Sequence, residues 1–193
     1  MEALDERSER IIRVAMELAE RDGFEAVRLR ELASLADVAV GTVYRRFSCK
    51  EDILAAALAH QVQLLKAGIE SHPLPGETVE ERLTLFFTNV TGLLAEQPKL
   101  TSAMLRTVAS GVPDLAERVT RYQETMVEVI VAVIRGEHVE GLPSEQERFL
   151  AKMLQNIWFA SMVGWTGGLF GPERVIEQVV DGMRVLIKGL EIS

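Results

Sequence analysis

Residues 24–52 read FEAVRLRELASLADVAVGTVYRRFSCKED, and the fold is decided in this stretch. Leu29, Leu32, Ala33 and Ala36 fall at i, i+3, i+4 and i+7, the spacing of one apolar helix face, which predicts a helix over 28–36. Asp37 and Val38 then form a tight turn, and a short second helix is predicted over 39–47. Two short helices joined by so few residues read as a helix-turn-helix. Placed at about 100° per residue, Val40, Val43 and Phe47 cluster on one side of the second helix. Val43 and Phe47 would anchor that side to a core. Gly41, Thr42, Tyr44, Arg45 and Arg46 spread over the rest and offer a hydroxyl, a phenol, two guanidinia and a glycine at which another backbone can come close. Those groups suit phosphate oxygens and base edges. Lys50 opens the next helix, where an ammonium and backbone N–H groups can share one phosphate.

The charge pattern around this stretch sharpens the reading. The 193-residue chain carries a formal net charge of −8, which argues against indiscriminate coating of nucleic acid. Residues 28–50 nevertheless hold Arg28, Arg30, Arg45, Arg46 and Lys50 against only Glu31 and Asp37, a net of +3 inside a remainder of −11. A small basic island in an acidic chain points to one local polyanion contact.

Working outward, no stretch alternates as a half-buried strand would, and the apolar residues keep helical spacing. Further helices are predicted over 5–21, 50–70, 77–96, 98–109, 113–136, 144–168 and 172–190. Gly23, His72-Pro73-Leu74-Pro75-Gly76, Pro98, Gly111-Val112-Pro113, Gly141-Leu142-Pro143 and Gly171-Pro172 punctuate them. The expectation is an all-α protein of about nine helices: a three-helix DNA-binding head over 1–50 and a helical ligand-binding and dimerisation body over 51–193. The single cysteine, Cys49, excludes a disulfide framework. The charged start of the chain has no signal-peptide core and no apolar run reaches the ~18 residues of a membrane span, so a cytoplasmic protein is expected.

The ordered residues resemble the TetR-type bacterial transcriptional regulators. The resemblance lies in Leu32-Ala33-x-x-Ala36-x-Val38, then Val40-Gly41-Thr42-Val43-Tyr44-Arg45-Arg46-Phe47-x-x-Lys50-Glu51-x-x-Leu54. It implies that Thr42, Tyr44, Arg46 and Lys50 contact DNA, with Gly41 at the closest approach. Two departures stand out. Ala39 replaces the usual serine at the start of the second helix, losing a cap worth ~1 kcal/mol. Val40 replaces a basic or polar residue and would either touch a thymine methyl or pack. Arg28 stands where a phosphate-binding threonine is common, so it joins the expected contacts while leaving that cap unfilled. A narrower similarity, to the KstR-type repressors of sterol catabolism, rests on Val38-Ala39-Val40-Gly41-Thr42, Gln97-Pro98-x-Leu100-Thr101-x-Ala103-Met104 and the Trp158 and Trp165 pair. It implies an actinobacterial source and a steroid-acid or lipid-like thioester ligand.

In the body, Phe86, Leu93, Met104, Val108, Met126, Ile130, Met153, Leu154, Trp158 and Met162 recur at helical spacing. Most must be core, and a minority are expected to line a cavity together with the polar residues Asn89 and Thr107; Gln155 and Asn156 are further candidate anchors. Little positive charge lines this region, which favours a neutral or monoanionic apolar ligand; Arg106 and Arg121 could pair with one carboxylate. The segment from Ile157 to Trp165 is apolar nearly all round, and Val175, Ile176, Val179, Met183, Leu186 and Ile187 form a broad stripe on the last helix. A helix apolar on all sides needs cover on all sides, so a homodimer through these residues, Ser161 and Trp165 is expected. The resemblance implies the same two-fold dimer.

Taken singly, these residues have ordinary explanations. Arg45 and Arg46 alone would be solvated helix charges, Tyr44 a half-buried packing residue and Cys49 inert, although its place beside the second helix leaves room for a redox role. His60, His72 and His138 lack metal-ligand spacing, and no cofactor is expected. No Gly-rich phosphate loop, nucleophile elbow or metal-spaced His/Glu motif supports an enzyme. The leading expectation is a ligand-responsive repressor on double-stranded DNA; the alternative is a helical lipid carrier without sequence preference for DNA.

Overall fold

The computed structural model describes residues 5–136 and 141–190. Within them the chain forms nine α-helices and no strand: α1 Glu6–Asp22, α2 Leu29–Leu35, α3 Val40–Arg46, α4 Lys50–Ser71, α5 Val79–Ala95, α6 Pro98–Val108, α7 Ala116–Arg135, α8 Glu145–Thr166 and α9 Pro172–Leu190. The expected all-α class is correct. Two single 3₁₀ turns, Phe24–Ala26 and Pro113–Leu115, were not distinguished in the sequence. The first follows Gly23, whose φ of +86° directs the chain out of α1 in a conformation that side chains with a Cβ resist. The second takes up the start of the helix predicted from 113.

The chain divides into two compact units. The first comprises Met1–Gln61 with Gln97–Arg121, and the second Val62–Glu96 with Tyr122–Ser193. In the first, α1, α2, α3, the first turns of α4 and α6 surround a core that includes Ile11, Leu18, Leu32, Val43, Phe47, Leu54 and Met104. Asp5 caps α1 by accepting the Ser8 N–H at 2.8 Å. Asp52 accepts the Ser48 N–H at 3.0 Å and pairs with Arg118 at 2.7 Å, tying the start of α4 to that of α7.

In the second unit, capping boxes start two helices. Thr78 and Glu81 cap α5, and Ser144 and Glu147 cap α8, each pair satisfying two N–H groups that a helix start leaves open. The opposite problem, unpaired carbonyls at the end of α7, is met by one side chain. Arg82 donates to the carbonyls of Val133 (3.0 Å), Ile134 (2.6 Å) and Gly76 (3.0 Å). Gly76 and Gly136 flank it; a Cβ at either would stand 2.9–3.0 Å from the Arg82 side chain. Phe86 and Phe87 meet edge to face at 5.1 Å, and Trp158 lies 6.0 Å from Phe87 with its indole N–H on the Thr91 hydroxyl at 3.0 Å. α9 packs against α8 and α5. Among the described residues no helix is long and apolar enough to cross a membrane.

Candidate functional site

The turn between α2 and α3 is built from backbone hydrogen bonds. The Val38 N–H donates to the Ala33 carbonyl at 3.0 Å and the Asp37 N–H to that of Ser34 at 3.3 Å, the paired closure that ends helices with a left-handed residue. Asp37 supplies that residue, at φ +52°, where glycine is usual. α3 then begins at Ala39, which has no side-chain cap, and α2 begins at Arg28, which has none either. Both missing caps follow from the residue types.

Val43 is fully buried and Phe47 3% exposed, so the two expected anchors hold α3 against the core. That fixes what points outward. Tyr44 is 56% exposed and Val40 39%, Arg45 and Gly41 are exposed, and Thr42 is half-buried. Nothing lies within 4 Å of where a Gly41 Cβ would stand, so the backbone there is open to approach. Arg28 is exposed at the start of α2, with Arg30 beside it. Among the described residues no ion pair reaches Arg28, Arg30 or Arg45, leaving three guanidinia uncommitted, two at the start of α2 and one on α3. Arg30 was counted in the basic island but not singled out as a contact.

Two expected DNA contacts already have partners within the head. Arg46 pairs with Asp5 at 2.5 Å and donates to the Ser8 hydroxyl at 2.8 Å, binding the end of α3 to the start of α1. The remaining guanidinium nitrogen, Nε, is buried without a partner. Asp5 is held below the usual carboxylate range, first by the Ser8 N–H and then by Arg46. Lys50 pairs with Glu25 at 2.7 Å, reaches the Phe24 carbonyl at 3.4 Å and sits 4.0 Å above the Phe24 ring. Sequence spacing could not reveal these partners, because they lie 38 and 25 residues away along the chain.

The expected ligand residues fall into two groups. Phe86, Met126, Ile130, Leu154, Trp158 and Met162 are buried in the second unit, with Met153 half-buried. Met104, Thr107 and Val108 belong to the first: Met104 is part of the head core, and the Thr107 hydroxyl donates to the Ala103 carbonyl at 2.9 Å. Asn89 and Leu93 are exposed on α5 and are not brought together with Phe86. Asn156 is exposed as well, whereas Gln155 is only 8% exposed and makes no side-chain hydrogen bond among the described residues. Arg106 pairs with Glu25 at 2.9 Å and Arg121 with Glu117 at 2.6 Å.

The expected dimer stripe also needs correction. Val175, Val179 and Met183 are fully buried within the chain, and the buried Ser161 donates to Gln178 at 2.7 Å, so these side chains are already covered. Trp165, Ile176, Leu186 and Ile187 stay half-buried, and Val163, Leu169 and Val185 are exposed. The groups of histidine, cysteine and carboxylate residues among the described residues include none arranged to hold a metal; His138 lies outside the described residues.

Residues 11–57 match the family model described as bacterial regulatory proteins, tetR family, and residues 76–185 match the tetracyclin repressor-like C-terminal domain. The chain belongs to the TetR family. It is a transcriptional regulator of the helix-turn-helix type, not an enzyme. The similarity to the KstR branch holds as well: the chain is 29% identical over 186 residues to the HTH-type transcriptional repressor KstR of Mycobacterium tuberculosis, covering 96% of this chain and 83% of that protein. The TetR fold is matched by a TetR transcriptional regulator from Rhodococcus sp. RHA1, with TM-score 0.81, 20% identity and coverage of 94% and 95% of the two chains. It is matched too by Thermus thermophilus FadR, a TetR-family repressor in complex with lauroyl-CoA, with TM-score 0.73, 22% identity and 94% of each chain covered.

Proposed function

We propose that this TetR-family protein is a cytoplasmic, dimeric repressor that binds a pseudo-palindromic operator and is released by a small apolar effector. The outward face of α3, with Tyr44, Arg45, Thr42 and Gly41 held clear of the core by Val43 and Phe47, carries the reading. Each head lays α3 in a major groove, and the two-fold axis of the dimer selects a site with matching symmetry. Arg28, Tyr44 and Lys50 contact phosphates and set the register. Thr42 and Arg45 contribute base readout, and Val40 meets a thymine methyl. Residues 1–50 form the DNA-binding part, and 51–193 carry effector binding and dimerisation through α8 and α9.

The effector is an acyl thioester or steroid acid. Supporting this are the lauroyl-CoA complex of the similar fold and the KstR relative. The interior of the second unit is aromatic and aliphatic, with Phe86, Phe87, Leu154 and Trp158 beside the buried polar residue Gln155, a composition that matches an apolar ligand better than a highly charged one. Effector binding favours one arrangement of the two heads over another; a coupling of ~1–3 kcal/mol changes operator affinity about 5- to 150-fold.

Selection of bound sequences from random duplex DNA tests the reading. A palindromic consensus is the expected result. Recovery of no consensus, alongside binding of lipid-like ligands in a thermal-shift panel of steroids and acyl-CoAs, would favour the carrier alternative.

A further inference from the structure

One carboxylate in the head serves two cations. The Glu25 Oε2 atom takes the Lys50 ammonium at 2.7 Å, and its Oε1 atom takes the Arg106 guanidinium at 2.9 Å. The same two cations lie over the Phe24 ring, at 4.0 Å and 4.2 Å from its centroid. Three elements therefore meet at one charge cluster: the 3₁₀ turn Phe24–Ala26, the first residue of α4 and the last turn of α6. Lys50 is 21% exposed and Glu25 is 70% exposed, so the cluster opens to solvent on the carboxylate side.

We infer that Glu25 sets how much of the Lys50 charge is available to a DNA phosphate, and that Arg106 of α6 sets how much of Glu25 is spent on Lys50. The inference rests on the repressor reading and assigns two positioning residues that do not touch DNA. An ammonium has three donors; here one is on the Glu25 carboxylate and one on the Phe24 carbonyl. A phosphate approaching Lys50 must share it with a carboxylate that also repels the phosphate directly. Arg106 draws part of that carboxylate's charge to itself, so removing Arg106 leaves Glu25 wholly to Lys50. Glu25 is ionised at neutral pH, since its hydrogen bond from Lys50, with Arg106 a lesser contributor, keeps its carboxyl below the ordinary range.

The test is operator affinity by fluorescence anisotropy across a salt series, using the full-length protein and the duplex recovered by selection. Glu25→Gln should tighten binding about three- to tenfold and steepen the salt dependence by up to about one released ion. Arg106→Gln should weaken it by a similar factor, and Arg106→Lys, which keeps a cation over Phe24, should restore wild-type affinity within about twofold. In a Lys50→Gln background both effects should vanish. Circular dichroism melts of each variant separate a lost fold from a lost contact, and folded Glu25→Gln alone suffices to decide the first half. If Glu25→Gln leaves affinity unchanged, the inference is wrong; if it tightens binding as much without Lys50 as with it, the inference is wrong too and the gain is a general effect of net charge. Absence of specific duplex binding by the wild type overturns the repressor reading and this inference together; specific binding with indifferent variants overturns the inference alone.

Discussion

Arg46 shows how far a residue type can be read without its partner. The sequence places a guanidinium on the last turn of the second helix of a helix-turn-helix, and a base reader is the natural expectation. The structure gives that guanidinium to Asp5 and Ser8, which makes it a clamp between α3 and α1. The distinction is measurable. Asp5→Asn keeps an oxygen to cap α1 but removes the charge that holds Arg46. It should weaken operator binding about fivefold, as an exposed ion pair allows, and by the same factor for every single-base variant of the operator. Arg46→Ala should behave the same way; relaxed preference at one base pair would make Arg46 a reader after all. The same pair contributes to acid sensitivity. Asp5 and Glu25 have folded pKa values below their unfolded ones, so their stabilisation is complete above about pH 4–4.5 and is lost as pH falls through the lower folded values. Thermal melts should therefore separate wild type from Asp5→Asn at pH 7 and bring them together near pH 2.

Elements were more legible than residues, because their determinants are local. Apolar stripes at i, i+3, i+4 and i+7 mark the helices, and Ser, Thr, Gly and Pro mark many of their ends, although α2 and α3 start without a cap; those signals lie within a few positions of one another. The outward face of α3 was legible for the same reason: Val43 and Phe47 are four apart, and burying them turns Tyr44 and Arg45 to solvent. What stayed hidden is contact across long separations. The α9 stripe is the plainest case. Its width shows that more than one side is covered, but not that Val175, Val179 and Met183 go to the chain's own core while Ile176 and Ile187 remain half-buried. The end of α7 is another, since its carbonyls depend on Arg82, 51 and 52 residues earlier in the chain. Arg82→Ala removes charged donors from three carbonyls and should cost about 1.5–3 kcal/mol in urea unfolding. Arg82→Lys should rescue little, because one ammonium cannot reproduce the planar fork that spans them.

At the scale of the whole molecule, the proposed recognition of a pseudo-palindromic operator requires two heads held at a fixed spacing, which would make the dimer part of the DNA-binding apparatus. Ile176→Arg combined with Ile187→Arg places charge on the half-buried side of α9 and should yield a folded monomer by analytical ultracentrifugation, with operator affinity lowered by at least about tenfold. Val179→Ala, by contrast, opens a cavity in the chain's own core; it should cost about 1–3 kcal/mol of stability and leave the dimer intact. Both outcomes depend on α3 being the surface that meets DNA. Operator affinity of a Tyr44→Ala, Arg45→Ala double variant, measured beside its melting temperature, tests that most directly. The expected result is a loss of at least about thirtyfold with the melting temperature within a few degrees of wild type; wild-type affinity in the folded variant would contradict a DNA-facing α3.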